Sequence, residues 1–381
     1  MSIHFVSGFS RSPWGGCEEL WSRAALALQQ RGVRVSASVK YWPPSQRHPR
    51  LAALSLSGAT LHFWGRRNSA KALLARAANK VAKSVRIPPL LPLINYGIPV
   101  ADLVVFSSGG NEFPVAPVRL CRRRSQRYAL IIQAVSESTW PRDSDLPAFD
   151  YPYEEAVAAF FVSNANREST ALQLGYDSER FRVVSNPFNV DAAVPFTWPE
   201  ERPIHEWAFV GRLEPGHKGV DLLLRAFARD RWKGRNVRLN LYGSGFSEQS
   251  VQRMARMLQL DHRAVFHGQV GDIEKIWQTN ELLLLPSRHE GLPLAVIEAM
   301  LCGRPCLVTN VSGNPEHLED GVTGFLVRGP TVDEVDATLE KAWENKERLR
   351  EMGECAYGAI RRRIPDDPAG RFADLLHELA V

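Results

Sequence analysis

Cysteine is scarce in this sequence of 381 residues: there are five, and they are scattered along the chain. No two of them form a Cys-x-x-Cys pair, and no Cys and His residues have the spacing of zinc ligands. The sequence therefore excludes a disulfide framework and offers no zinc site. Such cysteine usage is typical of a protein from the reducing cytosol.

Long apolar runs are missing too. The most apolar stretch, residues 87–106, is interrupted by four prolines and by Asp102, so it cannot form a regular membrane-spanning helix. Residues 3–7 are typical of a buried strand and lack the basic start of a signal peptide. We expect a soluble, cytoplasmic protein of about two domains, at roughly 150 residues per domain.

Acidic residues are absent between Glu19 and Asp102, a stretch that contains many Lys and Arg residues. Within it, the segment from Ala70 to Arg86 predicts an amphipathic helix with basic residues on one face and apolar residues on the other. Such a helix can lie on an anionic membrane surface, or it can pack its apolar face on the protein core. No nucleic-acid-binding motif accompanies the charge, so we expect no nucleic-acid partner.

Strands and helices alternate in both halves of the chain, which predicts the α/β class with parallel sheets covered on both faces. Two such halves predict two Rossmann-like domains with a cleft between them, where ligands lie beyond the carboxyl ends of the strands. Prolines between positions 187 and 203 mark a linker. The predicted boundaries are residues 1–190 for the first domain, 191–204 for the linker, 205–365 for the second domain and 366–381 for a C-terminal helix.

Two familiar nucleotide motifs are not formed. The loop after the first strand, residues 8–16, does not have the G-x-G-x-x-G pattern of a dinucleotide-binding fold. Residues 211–219 approach a phosphate-binding P-loop, but His217 precedes the lysine and Gly219 stands where Ser or Thr is required. A nicotinamide or flavin enzyme and an ATPase are therefore poor interpretations.

Loops that follow predicted strands favour binding of a diphosphate. Gly15 and Gly16 allow close approach of a ligand to the backbone, and the helix after them offers free N–H groups to an anion. Arg212 and Lys218 follow the first strand of the second half, where two cations would neutralise a pyrophosphate. Each feature taken alone is equally compatible with a tight turn or with solvated surface charge.

Residues 287–298 favour binding of a sugar. Pro293 suits the first turn of a helix, which places Glu290 in a loop and Glu298 inside that helix. Both carboxylates could accept hydrogen bonds from sugar hydroxyls. Residues 312–327 predict a turn and a short hairpin behind this segment. Gly291, Leu292, Pro293 and Leu294 form the start of the helix. Their backbone N–H groups could bind phosphate or sugar oxygens, except at Pro293, which has no N–H.

In this order, the motifs resemble the retaining GT-B glycosyltransferases with the E-x7-E hallmark, known as glycosyltransferase family 4 or glycosyl transferases group 1. The hallmark corresponds to Glu290 and Glu298. The resemblance implies two Rossmann-like domains and a C-terminal helix that packs back toward the N-terminal domain. It extends over Gly211-Arg212-Leu213, Lys218-Gly219, Tyr242-Gly243-Ser244-Gly245, Gly321-x-x-Gly324, Gly15-Gly16-x-Glu18 and Ser185-Asn186-Pro187.

The resemblance also implies residue roles. Arg212 and Lys218 would bind the donor diphosphate, and with Glu290, near the anomeric carbon of the sugar, they would form the catalytic group. Glu298 would hold the ribose, and Gly16 would close on the diphosphate from the N-terminal domain. Such enzymes need no metal and no cofactor beyond the nucleotide sugar, because the cations and the helix end stabilise the leaving group.

One position departs from the family. Many relatives have a His after a central strand of the N-terminal domain, near the donor sugar and the acceptor. Gln133 stands where that His is expected here. Candidates for acceptor binding are Asn111, Gln133, Glu137 and Trp140, and each of them could instead have a structural role.

The function implied is retaining transfer of a hexose-type sugar from a UDP- or GDP-linked donor to a carbohydrate or lipid-linked carbohydrate. Surface polysaccharide or glycolipid synthesis is the setting that the resemblance implies, and the basic segment from Ala70 to Arg86 is compatible with a peripheral location at the inner face of the membrane. The alternatives are a hydrolytic or non-catalytic relative that binds sugar nucleotides, and a basic module that binds membrane or nucleic acid.

Overall fold

The computed structural model describes residues 1–8, 13–65, 97–192 and 197–381. These residues divide into two compact units: Met1–Pro187 together with Asp367–Val381, and Phe188–Asp366. Each unit contains a parallel β sheet, as the alternation of strands and helices predicted. The predicted basic helix from Ala70 to Arg86 lies outside the described residues.

In unit 1 the described strands form a seven-stranded sheet in the order β3-β2-β1-β4-β5-β6-β7. The strands are β1 (Ser2–Ser7), β2 (Arg34–Lys40), β3 (Thr60–Trp64), β4 (Leu103–Ser108), β5 (Arg127–Ile132), β6 (Ala158–Phe161) and β7 (Phe181–Val183). The helices are α1 (Cys17–Gln30), α2 (Pro49–Leu56), α3 (Val115–Arg123), α4 (Leu146–Glu154) and α5 (Asn164–Leu174).

Successive residues of the central strands are buried on opposite faces of this sheet. In β1, Ile3 and Phe5 belong to one apolar cluster, whereas Val6 belongs to another on the opposite face. The near-continuous apolar strands of the sequence thus form a sheet covered on both sides, which is the arrangement typical of parallel sheets.

The C-terminal helix α13 (Pro368–Ala380) completes one face of unit 1 and packs against α1, as predicted. The Phe372 ring meets Phe160 of β6 edge to face, with ring centroids 5.0 Å apart. At the helix surface, Arg31 forms an ion pair with Asp374 at 2.7 Å. The end of the chain is therefore part of the N-terminal core.

In unit 2 the described strands form a six-stranded sheet in the order β10-β9-β8-β11-β12-β13. The strands are β8 (His205–Val210), β9 (Val237–Tyr242), β10 (Ala264–Gly268), β11 (Leu282–Leu285), β12 (Cys306–Thr309) and β13 (Gly324–Val327). The helices are α6 (Pro215–Lys218), α7 (Val220–Phe227), α8 (Glu248–Met257), α9 (Ile273–Trp277), α10 (Leu294–Leu301), α11 (Val332–Glu344) and α12 (Leu349–Arg363).

The strand order of unit 2 brings two predicted site loops together. Since β8 pairs with both β9 and β11, the loops after β8 and β11 lie side by side at the carboxyl edge of the sheet, where the strand order reverses. Their backbones touch: a Cβ at Gly219, which has a φ of +66°, would lie 1.9 Å from the carbonyl oxygen of Pro286. Glycine is required there.

Two local expectations from the sequence are wrong. Gly321 and Gly324 form a turn, but the strand after it, β13, pairs in parallel with β12, so there is no hairpin at this position. Pro293 precedes α10 in an extended conformation instead of lying in its first turn.

None of the helices in the described part of the chain is both long enough and apolar enough to span a membrane.

Candidate active site

The loop after β8 positions Arg212. One terminal nitrogen, Nη1, donates to Oε1 of Glu214 at 2.9 Å, and the other, Nη2, donates to Nδ1 of His217 at 2.9 Å. The guanidinium side chain is 30% exposed, so it remains accessible to a ligand from solvent. Glu214 and His217 are close because α6 is a single short turn between β8 and α7.

A buried carboxylate, Glu290, follows β11 and pairs with Lys218. The Nζ atom of Lys218 lies 2.5 Å from Oε1 of Glu290, and the Ser287 hydroxyl donates to the same oxygen at 2.6 Å. Burial opposes ionisation of Glu290, but the charge of Lys218 and the hydrogen bonds from Lys218 and Ser287 hold its pKa below the ordinary value. Glu290 is therefore a carboxylate at neutral pH.

Arg288 joins the two loops. Its guanidinium binds both carboxylate oxygens of Asp221, at 2.7 and 2.8 Å, and donates to the Pro215 carbonyl at 2.5 Å. Its backbone N–H donates to the His217 carbonyl at 2.7 Å. A bidentate pair of this kind restrains orientation as well as distance. Arg212, Lys218 and Glu290 are thus held by one connected set of contacts.

The helix α10 carries the second glutamate of the hallmark. Glu298 lies inside the helix and Glu290 in the loop before it, as predicted. Glu298 is buried, and its Oε1 accepts hydrogen bonds from the backbone N–H and the side-chain amide of Asn189, at 3.0 and 2.9 Å. At the helix start, Gly291, Leu292 and Pro293 are buried and Leu294 is half-buried.

The charges of this cluster cancel. Arg212 and Lys218 are cations, and each is paired with a carboxylate, Glu214 or Glu290. Each of the two cations that the sequence predicts to bind a diphosphate thus has a carboxylate partner, and its role toward a diphosphate stays a prediction. An incoming diphosphate must share these cations with the two carboxylates or displace the carboxylates from them. Glu214, two residues after Arg212, was the local signal for one of these pairs.

Unit 1 contains the predicted glycine pair. Gly15 and Gly16 directly precede α1, and their carbonyl groups accept the first hydrogen bonds of the helix, from Glu18 and Glu19 at 2.9 and 3.2 Å. The glycines are therefore at a helix N-terminus, where the sequence placed them. Their role toward a donor stays a prediction.

The acceptor candidates lie in different surroundings. The amide of Gln133 pairs with that of Asn186 through two hydrogen bonds, at 3.2 and 2.9 Å, and both side chains are buried. Asn111 donates to Gln173 at 2.5 Å. Glu137 and Trp140 are exposed, Trp140 to 59%. Gln133 and Asn111 thus have structural partners, and acceptor binding by any of the four stays a prediction.

Glu18, next to the glycine pair, is a buried acid. The Ser7 hydroxyl and the Trp21 indole N–H each donate to its carboxyl group at 3.0 Å. Burial raises the pKa of Glu18 from 4.5 to about 7 against the opposing effect of these hydrogen bonds. The folded protein therefore keeps a proton that the unfolded chain has already lost between these two pH values.

This difference predicts a pH dependence. As the pH rises from about 4.5 to about 7, the contribution of Glu18 to the free energy of unfolding is lost. Glu18→Gln should remove that fall, because the amide can accept from Trp21 and donate to Ser7 without titrating. Urea unfolding of both proteins at several pH values in this range tests it.

Glu19 is a matched control. Burial opposes its charge, but hydrogen bonds from Trp14 and Arg23 and the charges of Arg50 and Arg23 hold its pKa below the ordinary value. Its contribution is present near neutral pH and is lost as the pH falls. Glu19→Gln should thus change the pH profile in the opposite direction. A Glu18→Gln profile parallel to that of the parent would refute the assignment.

Residues 198–359 match the family described as Glycosyl transferases group 1. This part of the chain belongs to that family. The matched residues include Arg212, Lys218, Glu290 and Glu298, so the sequence resemblance is confirmed on the segment that carries the site.

Curated relatives match over part of their length. The N-acetyl-alpha-D-glucosaminyl L-malate synthase of Bacillus anthracis is 32% identical over 144 residues, 38% of this chain and 37% of that protein. The D-inositol 3-phosphate glycosyltransferase of Segniliparus rotundus is 34% identical over 172 residues, 44% of this chain and 36% of that protein. The matched segments thus span well under half of these two relatives.

Solved structures match over the whole chain. Anabaena Alr3699/HepE in complex with UDP and glucose aligns with a TM-score of 0.73 and 19% identity, covering 99% of this chain and 100% of that one. The lipopolysaccharide outer core galactosyltransferase WaaB aligns with a TM-score of 0.66 and 18% identity, covering 99% of each chain. At this identity the likeness establishes the fold. The predicted GT-B class, with two parallel Rossmann-like sheets, is confirmed.

Proposed function

We propose that the protein is a retaining glycosyltransferase that transfers a hexose-type sugar from a UDP- or GDP-linked donor to a carbohydrate or lipid-linked carbohydrate. The observation that carries this proposal is the buried Lys218–Glu290 pair beside Arg212, at the carboxyl edge of the unit 2 sheet and within the group 1 segment. The UDP and glucose bound by Alr3699/HepE support a sugar nucleotide as the donor. Surface polysaccharide or glycolipid synthesis is the proposed setting.

Arg212 and Lys218 would bind the donor diphosphate. As the bond between the sugar and the phosphate breaks, negative charge grows on the leaving diphosphate, and prearranged cations stabilise such charge best. The first backbone N–H groups of α10 would also favour binding of an anion, because they lie at the N-terminus of a helix. No metal is needed for this step. Gly15 and Gly16, at the start of α1, would contact the diphosphate from unit 1.

Glu290 would bind the transferred sugar near its anomeric carbon, while Glu298 would bind the ribose. The acceptor oxygen forms a bond to the anomeric carbon as the sugar–phosphate bond breaks, and the acceptor proton passes to a phosphate oxygen on the same face. Retention of configuration follows from this geometry. A contact accelerates the reaction only if it is stronger in the transition state than in the bound donor. We assign such a contact to the Lys218–Glu290 pair.

A thermal-shift panel in EDTA tests the proposal. UDP, GDP, ADP and ATP are compared first, and then the sugar conjugates of each. A ligand at about a hundred times its dissociation constant adds roughly 2.7 kcal/mol to the stability of the folded protein. We expect one diphosphate to raise the melting temperature and one of its sugar conjugates to raise it further. No shift with any of them would overturn the proposal.

The ribose role of Glu298 is tested separately. Glu298→Ala should weaken binding of the stabilising diphosphate by roughly ten-fold, the loss of one charged hydrogen bond of about 1.5 kcal/mol. The parent should prefer this ligand over its 2′,3′-dideoxy analogue, whereas Glu298→Ala should bind the two alike. Titration calorimetry measures both affinities.

Glu298→Gln is the matched control, because its amide oxygen can still accept from Asn189. Comparing Glu298→Gln with Glu298→Ala therefore distinguishes an effect of the lost ligand contact from an effect of a disturbed local fold. A Glu298→Ala variant that still discriminates against the dideoxy analogue as strongly as the parent does would remove the ribose assignment.

A further inference from the structure

One imidazole, His217, lies between the cation Arg212 and the carboxylate Glu290. Its Nδ1 is 2.9 Å from Nη2 of Arg212, and its Nε2 is 3.9 Å from Oε2 of Glu290. A guanidinium can only donate hydrogen bonds, so Nδ1 must be the acceptor. The proton of the neutral ring therefore lies on Nε2, on the side that faces Glu290.

The surroundings of His217 favour this neutral form. The side chain is 14% exposed, and its ring stacks on His289 with centroids 4.3 Å apart and an interplanar angle of 14°. Burial, then the charge of Lys218, lowers the pKa of His217 to about 3, with Glu290 acting in the opposite direction. An imidazolium would lose the Nδ1 lone pair and with it the bond from Arg212.

The contacts of Arg212 explain why an acceptor at this position matters. Each terminal nitrogen of the guanidinium donates one N–H inward, Nη1 to Glu214 and Nη2 to His217. Two acceptors on two different nitrogens fix the plane of the group. Each terminal nitrogen has a second N–H that these two contacts do not use, and such N–H groups can donate to phosphate oxygens.

We propose that His217 is a positioning residue that orients Arg212 for a bound diphosphate through its Nδ1 atom. The inference rests on the proposed function, in which Arg212 binds that diphosphate. His217 is also one of the two residues, with Gly219, at which residues 211–219 depart from the P-loop pattern.

Substitutions can separate the Nδ1 contact from the bulk of the ring. His217→Phe keeps a flat ring against His289 but has no acceptor. His217→Asn loses the ring but places a carbonyl oxygen where Nδ1 lies. If the role of His217 is structural, His217→Phe should lower diphosphate affinity less than His217→Asn does. If His217 positions Arg212, His217→Asn should lower it less.

Calorimetric titration with the diphosphate selected by the panel tests the inference. We expect Arg212→Ala to weaken binding about ten-fold or more, from the loss of a charged hydrogen bond. His217→Phe should weaken it about five-fold, and His217→Asn should stay within about two-fold of the parent. The double variant Arg212→Ala/His217→Phe should bind no more weakly than Arg212→Ala, because His217 acts through Arg212. Melting temperatures of all variants are measured alongside.

The outcomes are distinguishable. Unchanged binding by Arg212→Ala would overturn the diphosphate role in the proposed function and the inference with it. The inference alone would be overturned if Arg212→Ala binds the diphosphate weakly while His217→Phe binds it as the parent does. It would also be overturned if the losses of affinity in the two single variants add up in the double variant.

The tautomer gives a readout that needs no ligand. In ¹⁵N NMR of the imidazole groups, assigned by comparison with His217→Phe, His217 should have a protonated Nε2 and a bare Nδ1 whose signal shifts in Arg212→Ala. If no diphosphate binds the parent, this spectrum still decides the contact. A protonated Nδ1 would overturn the inference.

Discussion

Replacing Glu290 with glutamine is expected to slow sugar transfer roughly a hundred- to a thousand-fold, the range for loss of one prearranged electrostatic contact. Binding of the donor diphosphate should stay within about three-fold of the parent, since losing the carboxylate frees Lys218 for phosphate. The glutamine oxygen can still accept from Ser287, whose hydroxyl lies 2.6 Å from Glu290, so the loop should keep its fold. The change is therefore expected in turnover and not in affinity.

Single-turnover transfer and titration calorimetry on the same preparation separate these effects. Glu281→Gln is the matched control: it makes the same exchange in unit 2, at a carboxylate that pairs with His205 at 2.8 Å. That variant should transfer sugar at the rate of the parent. A Glu290→Gln variant with normal turnover, or one whose loss is entirely in donor affinity, would contradict the assigned role.

Arg304→Met is expected to destabilise unit 2 by about 4 kcal/mol, because several hydrogen bonds to a charged group are lost at once. Arg304 is fully buried, and it forms no ion pair with any carboxylate in the described part of the chain. Its N–H groups donate to backbone carbonyls instead. These belong to Asn280 at 2.9 Å, Cys302 at 2.6 Å, Thr197 at 2.9 Å and Trp277.

Two of these carbonyls end helices: Trp277 is the last residue of α9, and Cys302 caps α10. A cation at the negative ends of two helix dipoles is partly compensated without a carboxylate. Burial nevertheless lowers the pKa of Arg304 to about 10. Methionine has a similar length but no N–H group, so all four carbonyls would lose the hydrogen bonds that Arg304 donates.

Urea unfolding followed by tryptophan fluorescence measures the loss. Arg350→Met is the control, since that side chain is 67% exposed and pairs with Glu354 on the same helix. It should change stability by less than about 0.5 kcal/mol, as is usual for exposed positions. Equal stability of the Arg304→Met and Arg350→Met variants would show that the hydrogen bonds from Arg304 to these backbone carbonyls do not contribute to the free energy of unfolding.

The architecture could be predicted from the sequence because it depends on local patterns. Apolar strands separated by helices indicate parallel sheets, and the positions of Glu290 and Glu298 relative to α10 follow from Pro293 and the apolar residues after it. Elements with weak patterns were missed. The edge strand β3 is half exposed, α3 contains a proline and three arginines, and α4 contains Pro152.

The pairing of charges could not be predicted in the same way. Residue types show that Arg212, Lys218 and Glu290 suit a sugar nucleotide, but which cation meets which carboxylate depends on contacts between distant loops. Lys218 and Glu290 are separated by 72 positions in the chain. The error at residues 321–327 has the same origin, since the partner of β13 is the earlier strand β12 and not a neighbouring strand in a turn.

The helix α13 also determines when unit 1 can finish folding. Its residues follow all of unit 2 in the chain, yet Phe372 and Leu376 fill the same core as Leu20 and Trp21 of α1. A ribosome therefore completes unit 2 before it releases the last piece of unit 1. Until then the part of α1 that α13 covers stays exposed, and the nascent N-terminal unit is a natural client for chaperones that bind exposed apolar surfaces.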